Sequence, residues 1–407
     1  MKVSLSALIN AVYKVGAFTE GQKSIPGVLF DIRTDEFRVC YSDGRKAIIS
    51  KLPLVNEEGF EGKLVIPWNN LLAVINANQP KGMIFTDEIE LVIGDGVIVV
   101  EADKKIKVKS SEDEVVDKVV SRLSQKMVYH KTEESVKYGI LTRVDYDSIF
   151  ESADFDLWDK ETFRSMLSRA SSDKLGMSYI SSSRQACFAI NVAFVTNIPI
   201  DEQISFGFTV SAALASAIVN ILSKTPGDKV RISVSENRYV NIVSDDATTG
   251  IWFEMPPGNK SDLAVLSSFE GKEYNKYRMA FCRPALENVL ECIISSDNNE
   301  KVEMSLTDIN EGEPAIRIST TSGGASMGND FRVVIEHLVD NVGDVKDLKL
   351  PINLKVLKDM VNNCVEMYVV FDIAKDDRGT YLRVGDIVGA GENDLKLGTI
   401  HYTMIGK

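Results

Sequence analysis

The sequence is short of nearly everything that side-chain catalysis requires. Its three histidines, His130, His337 and His401, lie in three separate segments, with no spacing that would bring them onto one metal or into one triad. Its five cysteines, Cys40, Cys187, Cys282, Cys292 and Cys364, are scattered, odd in number and without a C-x-x-C pair. That usage excludes a disulfide framework and a zinc site and fits buried thiols in a reducing compartment. No run approaches the roughly 18 uninterrupted apolar residues of a membrane span. The apolar stretch behind Lys2 resembles a signal peptide only until Asn10 and Lys14 interrupt it, and no small-residue cleavage site follows. Excess positive charge is missing as well: the net charge is −13, which excludes a protein held on nucleic acid by overall attraction. The expectation is a soluble, cytoplasmic protein with no cofactor and no resident metal.

Other chemistry-bearing patterns fail on context. The glycine-rich runs GDIVGAGEN (385–393) and TSGGASMGND (321–330) neither precede a helix nor carry the Lys-Ser/Thr ending of a phosphate loop, so they read as hairpin tips. Asp145 with Asp147, and Asp245 with Asp246, read as solvated turn residues in an acidic chain. No serine sits in a G-x-S-x-G elbow. The chain is expected not to be an enzyme.

What the sequence has is repetition. The stretch LVIPWNNLLAVI (64–75) runs from an apolar strand through a break into an amphipathic helix that buries Leu71, Val74 and Ile75. FTVSAALASAIVNIL (208–222) repeats it with Leu214, Ile218 and Ile221, and LKLPINLKVLKDMV (348–361) repeats it with Leu354, Leu357 and Val361. Pro67, position 210 and Pro351 stand at the breaks, spaced by 143 and 141 residues (210 − 67 and 351 − 210). A fixed period of this kind marks an internal repeat, and proline suits the start of a helix. With 407 residues, 44% hydrophobic and 26% charged, the chain has globular composition and room for about three domains.

Each third also carries an earlier helix: 4–15 with Leu5, Leu8, Ile9 and Val12 inward; 159–171 with Phe163, Met166, Leu167 and Ala170 inward; and 283–294, opened by Pro284, with Leu286, Val289, Leu290 and Ile293 inward. Hairpins are expected at Ser42-Asp43-Gly44, at Gly94-Asp95-Gly96, and at Gly385 with Gly389–Gly391, while 255–262 reads as loop. Two helices and a hairpin-rich sheet in each third make the fold class α+β, three times over. The expected boundaries are 1–108, 156–270 and 271–407. Residues 109–155 form a linking insert whose 110–127 stretch is expected to be a helix with a valine stripe.

Three such units in an acidic chain of this length resemble the bacterial β-type DNA sliding clamp family, the ring-shaped processivity factors of replicative polymerases. KSIPGVLF (23–30), GKLVIPWNNLLAVI (62–75) and the ending TIHYTMIGK (399–407) are similar to the family's strand after the first helix, its strand and second helix of domain one, and its last strand. The chain departs from the family at Ile190–Phe194, where no arginine stands, and at Met404-Ile405-Gly406, where Pro-Met is usual. It is thereby identified as a divergent member, from a cell or from a phage replicon.

The resemblance implies a head-to-tail homodimer that closes into a ring around double-stranded DNA, helices lining the hole, without reading sequence. Lys14, Lys23, Arg164, Arg169, Lys355 and Lys358 are then the DNA-facing residues, among polar helix positions such as Ser6, Asn10, Asn69, Asn70, Asn76, Ser216, Asn220 and Ser223. Glu287 and Glu291 go against that trend. A pocket near Phe194, Met404 and Ile405 would take a short apolar peptide of the DNA polymerase or of the clamp loader. Holding by topology needs no basic exterior, which reconciles the net charge. Two other readings stay open: a scaffold of repeated α+β modules without encirclement, and an enzyme with a site at His130, Asp145 and Asp147.

Overall fold

The computed structural model describes residues 1–19, 27–57, 59–78, 84–109, 115–132, 144–151, 154–170, 177–181, 186–190, 194–200, 207–235, 238–256, 260–274, 277–293, 301–307, 314–320, 330–335, 337–338, 349–390 and 395–406. The first third runs β1 (Lys2–Ser4), α1 (Leu5–Phe18), β2 (Val28–Ile32), β3 (Glu36–Ser42), β4 (Lys46–Val55), β5 (Gly62–Ile66), α2 (Trp68–Asn78), β6 (Ile84–Ile93), β7 (Val97–Lys109), β8 (Val115–Val128) and β9 (His130–Lys131). The middle follows with β10 (Asp156–Asp159), α3 (Lys160–Ala170), β11 (Met177–Ser181), β12 (Ala186–Ile190), β13 (Val195–Pro199), β14 (Phe208–Ser211), α4 (Ala212–Ser223), β15 (Lys229–Val234), β16 (Tyr239–Ser244), β17 (Thr249–Glu254) and α5 (Lys260–Glu270). The last part runs β18 (Tyr277–Cys282), α6 (Arg283–Cys292), β19 (Lys301–Thr307), β20 (Ala315–Thr320), β21 (Asp330–Val334), β22 (His337–Leu338), β23 (Lys349–Asn353), α7 (Leu354–Asn362), β24 (Tyr368–Asp376), β25 (Gly379–Ala390) and β26 (Leu395–Gly406).

Three helices start directly out of strands with the junction residue as their cap. Ser4 accepts from the Ala7 N–H at 3.1 Å, Asp159 from Thr162 at 2.8 Å and Asn353 from Val356 at 3.1 Å. Each bond satisfies a donor that the first helical turn leaves without an intrahelical partner. Leu5, Leu8, Val12 and Val15 of α1 are buried, as are Leu354, Leu357, Met360 and Val361 of α7. Each such side chain contributes roughly 1.5–3 kcal/mol by leaving water. Gly44 and Gly96 take φ of +88° and +69° at the β3–β4 and β6–β7 turns, a region where a Cβ would be strained.

The described residues divide into two compact units, Met1–Ser165 with Ala213–Met255, and Met166–Ala212 with Pro256–Lys407. In the first, one antiparallel sheet runs β10-β15-β16-β17-β4-β1-β6-β7-β8, with β3, β2, β5 and β9 continuing from β4. In the second, one sheet runs β14-β11-β12-β13-β26-β25-β24-β18-β22 and another runs β21-β20-β19-β23. Its main core joins Phe281, Phe371, Leu286, Leu290, Leu357 and Met360.

Four expectations are corrected. Residues 115–128 are strand β8, paired with β7 from Lys109↔Val115 to Val97↔Val128. The β-branched run fits a ladder as well as a helical stripe, and the neighbouring strand decides. Within 255–262, helix α5 already begins at Lys260. Gly385 and Gly389 lie inside β25, where register shifts mark bulges, and not at a turn. Residues 391–394 and 321–329 lie outside the described residues. Pro351 sits within β23 opposite Glu303, on an edge strand that tolerates its missing N–H, and the helix start is set by Asn353.

Candidate nucleic-acid and partner interfaces

Most exposed helix positions are polar and few are charged, with Glu161 of α3 and Glu291 of α6 as acidic exceptions. α1 exposes Ser6 and Tyr13, α2 exposes Asn69 and Asn76, α4 exposes Ser216, Asn220 and Ser223, and α7 exposes Lys355 and Asn362. The helical period produces this division, because the apolar positions that fill the core leave the remaining arc to short polar side chains. Such a surface can hydrogen-bond to phosphate or water interchangeably, and carries too little charge to grip a backbone firmly. On α6 Glu291 is exposed, while Glu287 is half-buried and paired with Arg283.

The basic residues singled out by sequence behave differently from one another. Lys14 is a correction: it is only 3% exposed, and its Nζ donates to Thr249 Oγ1 of β17 at 2.9 Å. Arg164 is half-buried and bonded to Glu161 three residues earlier. Lys355 is exposed, and Lys358 donates to the carbonyl of Ile293 at 3.5 Å. Lys23 and the Arg169 side chain lie outside the described residues. A group that the sequence did not disclose lies where α1 meets the end of α4. There the Lys224 ammonium stands 5.0 Å from the Tyr13 ring centre and Asn10 Nδ2 donates to the Lys224 carbonyl at 3.1 Å. Only the pairing of two helices distant in sequence brings that exposed lysine into the polar face.

Burial pushes the Lys14 ammonium down to about 8 while Asp246 pulls it back up. The folded amine therefore loses its proton below the ordinary 10.5, and across the window between the two values the unfolded chain binds the extra proton. Stability rises with pH through that window, and below it the buried charge opposes folding. Lys14→Met is expected to raise the thermal midpoint at pH 7 and to flatten the gain that the parent shows on going from pH 7 to pH 10, both read from melting curves.

The three residues expected at a peptide pocket also separate. Phe194 is buried with its ring edge-on to His401, centroids 5.6 Å apart, and Ile405 is buried in the same core. Met404, next along β26, points the other way, as strand alternation requires. It is 50% exposed and lines a cavity of about 540 Å³ with residues 375–381 of the β24–β25 hairpin. Tyr381 forms part of that wall, with the Lys272 ammonium 4.4 Å from its ring centre. The cavity is lined mostly by charged and small residues of the hairpin, Lys375, Asp376, Asp377, Arg378, Gly379 and Thr380, with Met404 and Tyr381 as its apolar part.

Of the acidic residues read as solvated turn residues, Asp147 and Asp246 have side-chain partners. Asp147 accepts from Arg33 at 2.7 Å and from Arg38 at 2.6 Å, while Asp246 accepts from Ser244 and Thr248 in a turn. Among the described residues no cluster of three or more His, Cys, Asp or Glu is arranged to hold a metal ion, and no helix is long and apolar enough to cross a membrane.

No family model and no curated protein matches the sequence. The fold, in contrast, matches solved structures along its whole length. The DNA polymerase III beta subunit of Thermotoga maritima superposes with a TM-score of 0.72 at 13% identity, covering 100% of this chain and 98% of that one. A DNA polymerase sliding clamp from Pseudomonas aeruginosa gives 0.72 at 12% identity, over 100% and 99%. The DNA polymerase III subunit beta of Borrelia burgdorferi, solved in complex with a natural product, gives 0.72 at 13%, over 99% and 98%. The chain has the DNA clamp fold, α+β with mostly antiparallel sheets.

Proposed function

We propose that this protein is a DNA sliding clamp: two chains join head to tail into a ring that encloses duplex DNA and tethers a DNA polymerase to it. The observation that carries the reading is a strand-pairing rule repeated within the chain. Three modules are built on the helix pairs α1/α2, α3/α4 and α6/α7. The third strand after the first helix of module one, β4, pairs with the last strand of module two, β17, at Ile48↔Ile251. The corresponding strand of module two, β13, pairs with the last strand of module three, β26, at Thr196↔His401. The same position in module three is β21, which ends its sheet, and the last strand of module one is β8, which also ends its sheet. Each chain thus carries one half of a third joint at either end. A long edge strand left without a neighbour invites pairing, and joining β21 of one copy to β8 of the next repeats the joint already used twice. A heterologous contact of this type gives a ring when its rotation closes, and a total of six modules is the smallest number above three that two chains supply.

The fold shared with solved clamps supports this reading, as do the low-charge helix faces. A duplex held by enclosure needs only a wet, polar wall to slide past, and strong phosphate contacts would hinder it. The cavity beside Met404 is the proposed seat for the apolar peptide of a polymerase or a loader. The test is retention. After loading onto nicked circular DNA and washing in high salt, the protein should stay on the circle and leave the same DNA once it is linearised, because salt abolishes charge-held binding and leaves topology untouched. Equal loss from both forms would defeat the proposal.

A further inference from the structure

The first helices of modules one and three can be laid on one another by what they bury. Counted from the cap residue, Ser4 for α1 and Cys282 for α6, the fourth, eighth and eleventh positions are buried in both. They are Leu8, Val12 and Val15 in α1 and Leu286, Leu290 and Ile293 in α6. Each helix also packs on the strand that its module offers to a joint, α1 on β4 and α6 on β21. The remaining positions of the two helices can therefore be compared one by one.

At the β4–β17 joint, module two closes over one flank of α1. The sixth position is Asn10, whose Nδ2 donates to the Lys224 carbonyl just past the end of α4 at 3.1 Å. The ninth is Tyr13, with the Lys224 ammonium 5.0 Å from its ring centre. The tenth is Lys14, 3% exposed, whose Nζ donates to Thr249 of β17 at 2.9 Å, with Asp246 of the preceding turn close enough to act on its charge. All of these partners belong to module two.

In α6 the same three positions are Asn288, Glu291 and Cys292, and all three are exposed. Among the described residues the Asn288 amide has no hydrogen-bond partner and the Glu291 carboxylate has no ion pair. The amide of Asn10 thus recurs at Asn288, where the carbonyl it would meet is missing; α3 carries Ser165 at this position, without the amide. At the ninth position the β4–β17 joint sets a cation. An acid there suits a protein neighbour, whereas on a wall facing phosphate it would repel. Positions that a neighbouring module covers in one joint stand open in α6, beside the edge strand β21. That is the appearance of a joint with its second half removed.

We infer that the flank of α6 bearing Asn288, Glu291 and Cys292 is the helix-side half of the third joint, and that module one of a second copy of this chain occupies it, with the end of its α2 against Asn288. The inference rests on the ring reading and adds to it that the copies meet through side chains of α6 as well as along β21 and β8. The occupant is a second copy because module one is the module whose last strand, β8, ends its sheet. The first experiment needs no substitution. Cys292 of the full chain is alkylated with iodoacetamide and its peptide followed by mass spectrometry, above and below the concentration at which sedimentation shows the dimer to dissociate. Labelling should slow at least about tenfold in the dimer, because a thiol reacts only where the reagent reaches it. Asn288→Ala should raise the dissociation constant about three- to tenfold, the worth of one hydrogen bond. Cys292→Arg should raise it further by forcing a bulky charge into the seam. Both positions are exposed, so the melting temperature of the single chain should not move; if a variant does melt early, the alkylation of the parent decides. Equal labelling at both concentrations, or unchanged dissociation in both variants, would overturn the α6 flank while leaving a ring joined by strands alone. Failure of the parent to dimerise or to stay on a nicked circle would remove ring and flank together.

Discussion

In the ring proposed above, a chain carrying Val334→Pro should sediment as a monomer where the parent sediments as a dimer, and should wash off nicked circles as readily as off linear DNA. The position is chosen by hydrogen-bond parity. The Ile335 N–H donates to the Pro314 carbonyl at 2.8 Å, and β20 and β21 run antiparallel with Ile316↔Val333 and Ala315↔Val334 in register. In such a ladder, bonded and non-bonded pairs alternate. Val333 therefore turns its N–H toward β20, and Val334 turns its own toward the open edge. Proline at 334 removes an outward donor and sets a ring in the path of the incoming strand, while the bonds inside the sheet stay intact. A ladder bond left unmade across the joint, with the partner carbonyl deprived of water, costs about 3 kcal/mol, or roughly a hundredfold in the dissociation constant. The melting temperature of the isolated chain should stay close to that of the parent. An unaltered dimer would mean that β21 is not the edge in use.

The same parity could not be read from the sequence, and the reason separates what was legible from what was not. Regular local features were legible. The spacing of Leu5, Leu8 and Val12 gave α1, Gly44 and Gly96 marked two turns, and the recurrence of strand, break and helix at 64–75, 208–222 and 348–361 gave the threefold plan. The misreadings came where a distant neighbour decides. Val115, Val116, Val119 and Val120 satisfy a helical stripe, and only the ladder with β7 makes them a strand. Lys14 looked like a solvated residue because Thr249, which accepts its hydrogen bond, lies 235 positions away. The seating of the 144–151 segment was equally hidden, since the arginines that hold Asp147 precede it by 114 and 109 residues. Phe194 and Ile405 were placed at a pocket by resemblance, whereas alternation along β26 sends Ile405 inward and leaves Met404 beside the cavity.

The second large effect concerns the buried ion cluster on β24. Asp372 is fully buried on β24, where its two oxygens accept from Arg278 Nε at 2.8 Å and from Arg383 Nε at 2.8 Å. The Arg383 guanidinium also lies 4.8 Å from the centre of the Tyr274 ring, which packs with Val195 of β13 and Tyr402 of β26. Burial raises the Tyr274 phenol, which stays protonated at neutral pH. Asp372→Ala would leave two guanidinium groups facing each other with little water to solvate them and only an aromatic face to offset the repulsion. Removing one partner from a buried ion cluster typically costs about 3–5 kcal/mol, and that is the loss expected in chemical denaturation at pH 7. Replacing the whole cluster should cost much less. Arg278→Met, Asp372→Leu and Arg383→Met combined remove charge, desolvation penalty and attraction together, so stability should return most of the way to the parent value. If the single and triple variants lose the same amount, packing around β24 and not charge pairing holds this part of the fold. The triple variant is also the more informative one for function, because it keeps the core while taking away the arginine that seats Tyr274. The β13–β26 pairing, against which Tyr274 packs, should then open faster even in a stable chain, and hydrogen exchange along Val195–Asn197 and Ile400–Tyr402 would report it.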